Sequence, residues 1–133
     1  MTRRAVLFAN GEMPDLSRIL AMLKADDYLV AVDGGLQHLH NLKKTPHLLI
    51  GDLDSVSADE VSQAEAQGVE IRRFKIDKDE TDLELALMTA AEKGFDEILL
   101  VAALGGRLDQ TLANLYLLMV PELAKARVTI ESG

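Results

Sequence analysis

Short apolar runs, each stopped by an acidic or glycine-rich corner, alternate with segments of helical period along almost the whole sequence. The runs fall at 4–9, 28–32, 48–50, 69–74, 97–101 and 128–131, and the helical segments at 16–24, 36–42, 57–67, 81–93 and 110–119. Strands of this kind, apolar on both faces, need a cover on each side, and the alternation supplies helices to provide it. The pattern therefore predicts an α/β fold of three layers, with a mostly parallel sheet of about six strands and helices on both faces. Two segment starts carry the spacing of a capping box, Ser57 with Glu60 and Thr81 with Glu84, in which hydroxyl and carboxylate satisfy free backbone donors. Gly68 and Gly94 stand where the helices they begin should end.

A chain of 133 residues with 48% hydrophobic content has the size of one domain, 1–133, around a single core. No apolar run has the length of a bilayer span, and Met1-Thr2-Arg3-Arg4 leads straight into the first predicted strand without a signal-peptide pattern. A cytoplasmic protein with no membrane partner is the resulting expectation. The formal net charge of −8 argues against nucleic acid as a partner, because binding along phosphate backbones relies on clustered Lys and Arg. With no cysteine and three scattered histidines, the chain's metal-binding repertoire consists chiefly of oxygen. An anionic substrate would need a cation to accompany it.

In a doubly wound sheet, ligands gather at the carboxyl ends of the strands. The corners expected there are 10–12, 33–35, 51–55, 75–82 and 103–110, and four of the five contain Asp. Asp52 and Asp54 follow the run 48–50, and side chains two apart on an extended segment point to one side. Two carboxylates ~4 Å apart repel by roughly 4 kcal/mol at an effective dielectric of 20, which invites a cation. Mg²⁺ suits such a site, since it takes one or two carboxylates, several waters and phosphate oxygens. The plainer alternative leaves Asp54 capping a turn and Asp52 in solvent. Residues 77–84 hold five carboxylates in eight positions. Acids there also complement a helix dipole, yet Asp82 in a first helical turn would be available as a third ligand.

Gly105 and Gly106, followed by Arg107, open the segment after the fifth run. Glycines allow a backbone to approach a phosphate at a helix start, and a guanidinium fork matches its oxygens. A tight turn with Asp109 as helix cap explains the same residues without a ligand. Asp33-Gly34-Gly35 reads first as a strand-ending turn, as do Asn10 and Glu12. The phosphate loop, the dinucleotide fingerprint and the nucleophile elbow are all missing. His38, His40 and His47 have no carboxylate partner at metal spacing and read as surface or packing residues, while Met13, Met22, Met88 and Met119 read as core filling.

Taken in order, Asp33-Gly-Gly35, Gly51-Asp-Leu-Asp-Ser55, Lys78-Asp-Glu-Thr-Asp82 with Glu84-Leu-Ala-Leu87, and Gly105-Gly-Arg-Leu-Asp109 resemble the catalytic domain of thiamine pyrophosphokinases. The resemblance implies pyrophosphoryl transfer from ATP to the hydroxyl of thiamine, giving thiamine diphosphate and AMP, with Mg²⁺ as cofactor and ATP and thiamine as small-molecule partners. It implies metal ligation by Asp52, Asp54 and Asp82, and places Lys78, Thr81, Arg107 and Asp109 near phosphates or substrate, with Arg107 stabilising leaving charge. Asp33, Gly34, Gly35, Gly105, Gly106 and Gln110 fall in matching nucleotide-site motifs. Gln110 stands where many bacterial relatives have His, which puts a proton-shuttling role there in doubt. The resemblance also implies a second, β-rich domain that helps hold thiamine, and a homodimer in the full-length protein. The chain reaches Gly133 about where that domain should begin, so a fragment without it, whose activity alone is in doubt, is the expectation.

Three other readings compete. Asp52-Leu-Asp-Ser-Val56 also resembles the nucleophile motif of haloacid-dehalogenase-type phosphatases, although that motif normally follows the first strand and here two strands precede it. A pyrophosphokinase acting on a hydroxymethylpterin would share the acidic motif. A non-catalytic Mg²⁺- or nucleotide-binding module would keep the acidic corner without a second-substrate site.

Overall fold

The computed structural model describes residues 3–9, 15–51, 53, 56–73, 82–101 and 127–131, with the side chains of 82–84 and 127–131 outside that description. Six strands form one sheet: β1 (Arg4–Phe8), β2 (Tyr28–Val32), β3 (Leu48–Gly51), β4 (Glu70–Arg73), β5 (Glu97–Val101) and β6 (Arg127–Glu131). All neighbouring pairs are parallel, and the order across the sheet is β4-β3-β2-β1-β5-β6. The helices described are α1 (Leu16–Met22), α2 (Leu36–Asn41), α3 (Ala58–Ala66) and α4 (Asp82–Glu92).

Residue parity along the strands divides the core in two. Ala5, Leu7, Val30, Val32, Leu48, Ile50, Ile98 and Leu100 share one apolar cluster with Ala86, Leu87 and Ala90 of α4. Their neighbours Val6, Phe8, Leu29, Ala31, Leu49, Leu99 and Val101 share another with Ile19 of α1, Leu36 and Leu39 of α2, and Val61 and Ala64 of α3. This is the three-layer arrangement the sequence predicts, and full burial of β1 explains why it has no polar interior position.

Helix ends follow local chemistry. Ser57 accepts from the Glu60 backbone N–H at 3.1 Å, while the Glu60 carboxylate accepts from the Ser57 N–H at 3.2 Å, completing the expected capping box. Gly68 and Gly94 adopt φ of 87° and 83° just past α3 and α4, the left-handed stop that glycine makes without strain. The first helix ends two residues earlier than the periodicity predicts. Leu23 turns extended, and the Asp27 carboxylate takes the Lys24 N–H at 2.8 Å, so a side-chain acceptor competes with the next helical turn.

The connections fix where a site can form. α1, α2 and α3 serve the steps from β1 out to β4 on one face. From that edge α4 returns the chain over β3 and β2 on the other face, and β5 then pairs with the free side of β1. The direction of winding reverses between β1 and β5, the position at which open α/β sheets leave a crevice at the carboxyl ends of the strands.

Candidate active site at the carboxyl edge

Parallel strands sort the molecule's polar groups into two edges. At the amino edge, Arg4 opens β1 and binds Asp27 through Nε at 2.9 Å and through an Nη at 2.6 Å, and that Nη also donates to the Met22 carbonyl. The hydrogen bond to Asp27 raises the Arg4 pKa against the opposing effect of burial. Burial alone would push the Asp27 carboxyl up, but the Arg4 fork and the Lys24 N–H outweigh it and hold the group below its usual range. Beside this pair, Tyr28 stacks on His47 with ring centroids 5.0 Å apart, Phe95 lies against Tyr28 at 5.0 Å, and the Arg3 guanidinium covers Phe95 at 4.6 Å. His47 Nδ1 accepts from the Leu29 N–H at 3.0 Å, which makes it the packing residue the sequence suggests. A cleft of about 110 Å³ lined by Arg4, Met22, Glu97, Ile98 and Leu99 lies at this same edge. Its Arg4 guanidinium is already committed to Asp27 and Met22, so the groups here brace the fold.

Those predicted site residues that are described, Asp33, Gly34, Gly35 and the backbone of Asp82, belong to the opposite edge. Asp33 is the first residue past β2; it is 9% exposed and adopts φ of 49°, a left-handed conformation that Asp tolerates better than most residues. It opens a single 3₁₀ turn, Asp33–Gly35, that runs directly into α2. That turn lies hard against β1. A Cβ built on Gly35 would sit 1.8 Å from the Phe8 carbonyl oxygen, so only glycine allows α2 to start there. The strand-ending turn expected at 33–35 is thus present, pressed onto the central strand.

Next along the edge, β3 pairs with β2 so that Val32 faces Ile50, which brings Gly51 beside Asp33. Gly51 has φ of 138° and Leu53 φ of 65°, and β3 ends at Gly51. The backbone between Asp52 and Asp54 is therefore not the extended segment the sequence predicts, and alternation along a strand does not point the two carboxylates to one side. For leucine the left-handed region costs roughly 1–2 kcal/mol, yet this Leu53 is 4% exposed, within the cluster that holds Val56 and Val61. Burying a Leu side chain contributes about 1.5–3 kcal/mol, enough to offset that strain. The Val56 N–H then donates to the Leu53 carbonyl at 3.2 Å. On the other side Gly51 pairs with Arg73, the exposed last residue of β4. Asp82 is the first residue of α4, the helix that leaves this edge to cross β3 and β2.

The structure therefore places Asp33, Gly34, Gly35 and the backbone of Asp82 at one edge, together with Gly51 and Leu53, the chain neighbours of Asp52. Asp52, Asp54, Lys78, Thr81, Gly105, Gly106, Arg107, Asp109 and Gln110, like Asn10 and Glu12, lie outside the described residues. Among the described residues no group of three or more His, Asp or Glu forms a metal cluster. Of the described side chains at this edge, Asp33 offers carboxylate oxygen, the donor type a hard cation takes, and the histidines belong to α2 or to the amino edge. Sequence reasoning assigned no role to Leu53 or Arg73. A strand's carboxyl-terminal position would have flagged Arg73; nothing in a Leu codon announces a left-handed backbone.

Residues 19–130 match the family described as Thiamin pyrophosphokinase, catalytic domain. The chain belongs to that family. A curated thiamine pyrophosphokinase from Bacillus subtilis (strain 168) is 36% identical over 89 residues, which cover 67% of this chain and 42% of that relative. Crystal structures of thiamin pyrophosphokinase family proteins superpose on almost the whole chain. That from Enterococcus faecalis gives a TM-score of 0.69 at 27% identity, covering 98% of this chain and 61% of its own length. That from Bacillus subtilis gives 0.70 at 28%, covering 97% and 60%. The thiamin pyrophosphokinase from Candida albicans, at 20% identity and a TM-score of 0.66, shares the fold. The chain spans less than two thirds of the length of these relatives. Among the described residues no helix is long and apolar enough to cross a membrane.

Proposed function

We propose that this chain supplies the ATP-binding and catalytic part of an enzyme that moves a pyrophosphoryl group from ATP to the hydroxyl of thiamine, releasing AMP. The family match over residues 19–130 carries the reading, and the gathering of Asp33, Gly51, Leu53 and the start of α4 at one sheet edge is in keeping with it. Asp52, Asp54 and Asp82 would hold Mg²⁺ there. When bound, the ion would neutralise polyphosphate charge and help to align its oxygens.

Transfer of this type depends on positioning and electrostatic stabilisation. The hydroxyl oxygen of thiamine bonds to the β-phosphorus as the bond from that phosphorus to the α–β bridging oxygen breaks, and AMP leaves with the electron pair. We assign Arg107 to the charge that develops on the bridging oxygen. We assign Lys78, Thr81, Gly105 and Gly106 to the phosphates and Asp33-Gly34-Gly35 to the nucleotide. A carboxylate oxygen of Asp54 that does not ligate the ion, or one of Asp109, is the acceptor proposed for the hydroxyl proton, and Gln110, standing in place of a histidine, is given no proton to carry.

The whole enzyme, incubated with Mg·ATP and thiamine, should yield equimolar AMP and thiamine diphosphate, and Asp52→Asn should depress its Mg·ATP binding and turnover together. Release of ADP, transfer to a hydroxymethylpterin instead, or full activity of the variant would overturn the assignment.

A further inference from the structure

Residue 47, at the amino edge, is where three strands are first tied together. Its backbone N–H donates to the Leu29 carbonyl at 2.8 Å, and its own carbonyl accepts from the Glu70 N–H at 3.0 Å. β2, β3 and β4 therefore meet at this rung, one step ahead of the register pair Val30 and Leu48. A further parallel rung would hand the Leu29 N–H to a carbonyl of the chain entering β3. The His47 imidazole takes it instead, with Nδ1 accepting at 3.0 Å. An acceptor at Nδ1 leaves the single proton of a neutral ring on Nε2.

The neighbours hold the ring in that pose. One face stacks on Tyr28, with centroids 5.0 Å apart and 18° between the planes. Lys93 Nζ lies 5.8 Å from the centre of the same Tyr28 ring and 3.5 Å from Glu70 Oε1, while Arg72 Nε donates to Glu70 Oε2. Arg3 stands one ring further away, over Phe95, and the chain entering β3 adds Lys43 and Lys44. The charges packed about the ring are thus mostly cationic, and the one carboxylate, Glu70, is already shared between Lys93 and Arg72. His47 itself is exposed, so a proton reaches it without unfolding. Once both ring nitrogens carry hydrogen, Nδ1–H confronts the Leu29 N–H, two donors with no acceptor between them. A half-turn about the Cβ–Cγ bond keeps the stack but puts Cδ2–H in the same place, and the bond is lost that way as well.

We propose that His47 is an acid-released latch on the amino edge: its unprotonated imidazole closes the first rung between β2 and β3, and protonation opens that rung while the rest of the sheet stays paired. Imidazoles in general take up a proton near pH ~6.5. The carboxyls of Asp27 and Glu70 are both held below their ordinary values by their cationic partners, so they stay ionised throughout that range. The latch thus has a window of its own, closed above about pH 7 and released as pH falls toward about pH 5.

The test is hydrogen exchange at the Leu29 amide of the full-length protein, read by NMR as a protection factor at about pH 7.5 and about pH 5. In the parent, Leu29 protection should fall about fivefold in acid, the worth of one hydrogen bond, while Ala31 on the same strand keeps its own. His47→Asn keeps an acceptor near the place of Nδ1 on a group that does not titrate, so its Leu29 protection should be the same at both pH values. His47→Phe keeps a ring for Tyr28 and offers no acceptor; its Leu29 protection should be low at both. The Asn variant also separates His47 from His38 and His40, which titrate in the same range and are untouched by it. Equal Leu29 protection in the parent at the two pH values would overturn the latch. So would the same acid loss in His47→Asn, or a parent loss at Ala31 as large as that at Leu29, which would mark a general loosening of the sheet.

Discussion

Replacing Gly35 by Ala sets two opposed effects against each other, and the geometry decides between them. Gly35 adopts φ −60° and ψ −15°, ordinary helical values, so alanine suffers no backbone strain there and gains about 0.4–1 kcal/mol by restricting the unfolded chain. Its Cβ, however, would stand 1.8 Å from the Phe8 carbonyl oxygen, 2.6 Å from the Phe8 carbonyl carbon and 3.2 Å from the Ala9 oxygen. Reaching a tolerable separation of 3.0 Å from that oxygen needs a shift of about 1.2 Å between two backbones. β1 cannot supply it. Phe8 is fully buried, pairs with Ala31 on one side and Val101 on the other, and is followed by the Ala9 N–H bonded to the Val101 carbonyl at 2.9 Å. The start of α2 has to move, and Asp33 with it. Overpacking costs about 1–3 kcal/mol, and contact between backbones belongs at the upper end, leaving a net loss of about 2 kcal/mol. With a urea m-value of about 1.5 kcal/mol per molar, the midpoint falls by about 1.3 M. Far-UV circular dichroism in urea measures this, with Gly68→Ala as a comparison whose Cβ meets open space and whose cost, about 1 kcal/mol, comes from φ alone. An unchanged or raised midpoint for Gly35→Ala would refute the reasoning.

Two further outcomes follow from the amino edge and the caps. Asp27→Asn leaves the Arg4 guanidinium without its counter-charge, at side-chain exposures of 14% and 2% for Arg4 and Asp27, and should cost about 3 kcal/mol at pH 7. Because the folded Asp27 pKa lies below its ordinary 3.8, the pair's contribution is complete above that value and disappears as pH falls through the folded pKa, so stability curves of parent and variant should converge below about pH 3.8. Parallel curves down to the lowest measurable pH would contradict the linkage. Ser57→Ala removes half of the capping box at the start of α3 and should cost about 1 kcal/mol in the same urea assay, without altering nucleotide binding.

What was legible in the sequence depended on how local its cause was. The strands at 28–32 and 97–101 have the bounds the sequence predicts; the first is an unbroken apolar run between Asp27 and Asp33, and the second carries the apolar run 98–101 behind Glu97. The capping box at Ser57 and the stops at Gly68 and Gly94 rest on contacts within a few residues. The end of α1 was misread because it depends on Asp27, whose place is fixed by Arg4, 23 residues earlier. The strand order, the contact of Gly35 with Phe8 and the left-handed backbones of Asp33 and Leu53 are likewise products of tertiary packing, to which hydrophobic periodicity is blind. At the site, the sequence named Asp33-Gly34-Gly35 as a turn and Asp82 as a helix start, and both stand at the carboxyl edge. Leu53 was passed over because a turn leucine looks like any other until its burial and φ are known.

If the proposed function holds, acidic residues distant in sequence converge on a divalent ion at this edge of the sheet. Crystals of the protein grown with Mn²⁺ and a non-hydrolysable ATP analogue, with anomalous diffraction recorded for manganese, test it most directly. An anomalous peak is expected about 2.0–2.4 Å from carboxylate oxygens of Asp52, Asp54 and Asp82 and from phosphate oxygens of the analogue. A peak at the amino edge, or an analogue bound with manganese remote from all three aspartates, would contradict it.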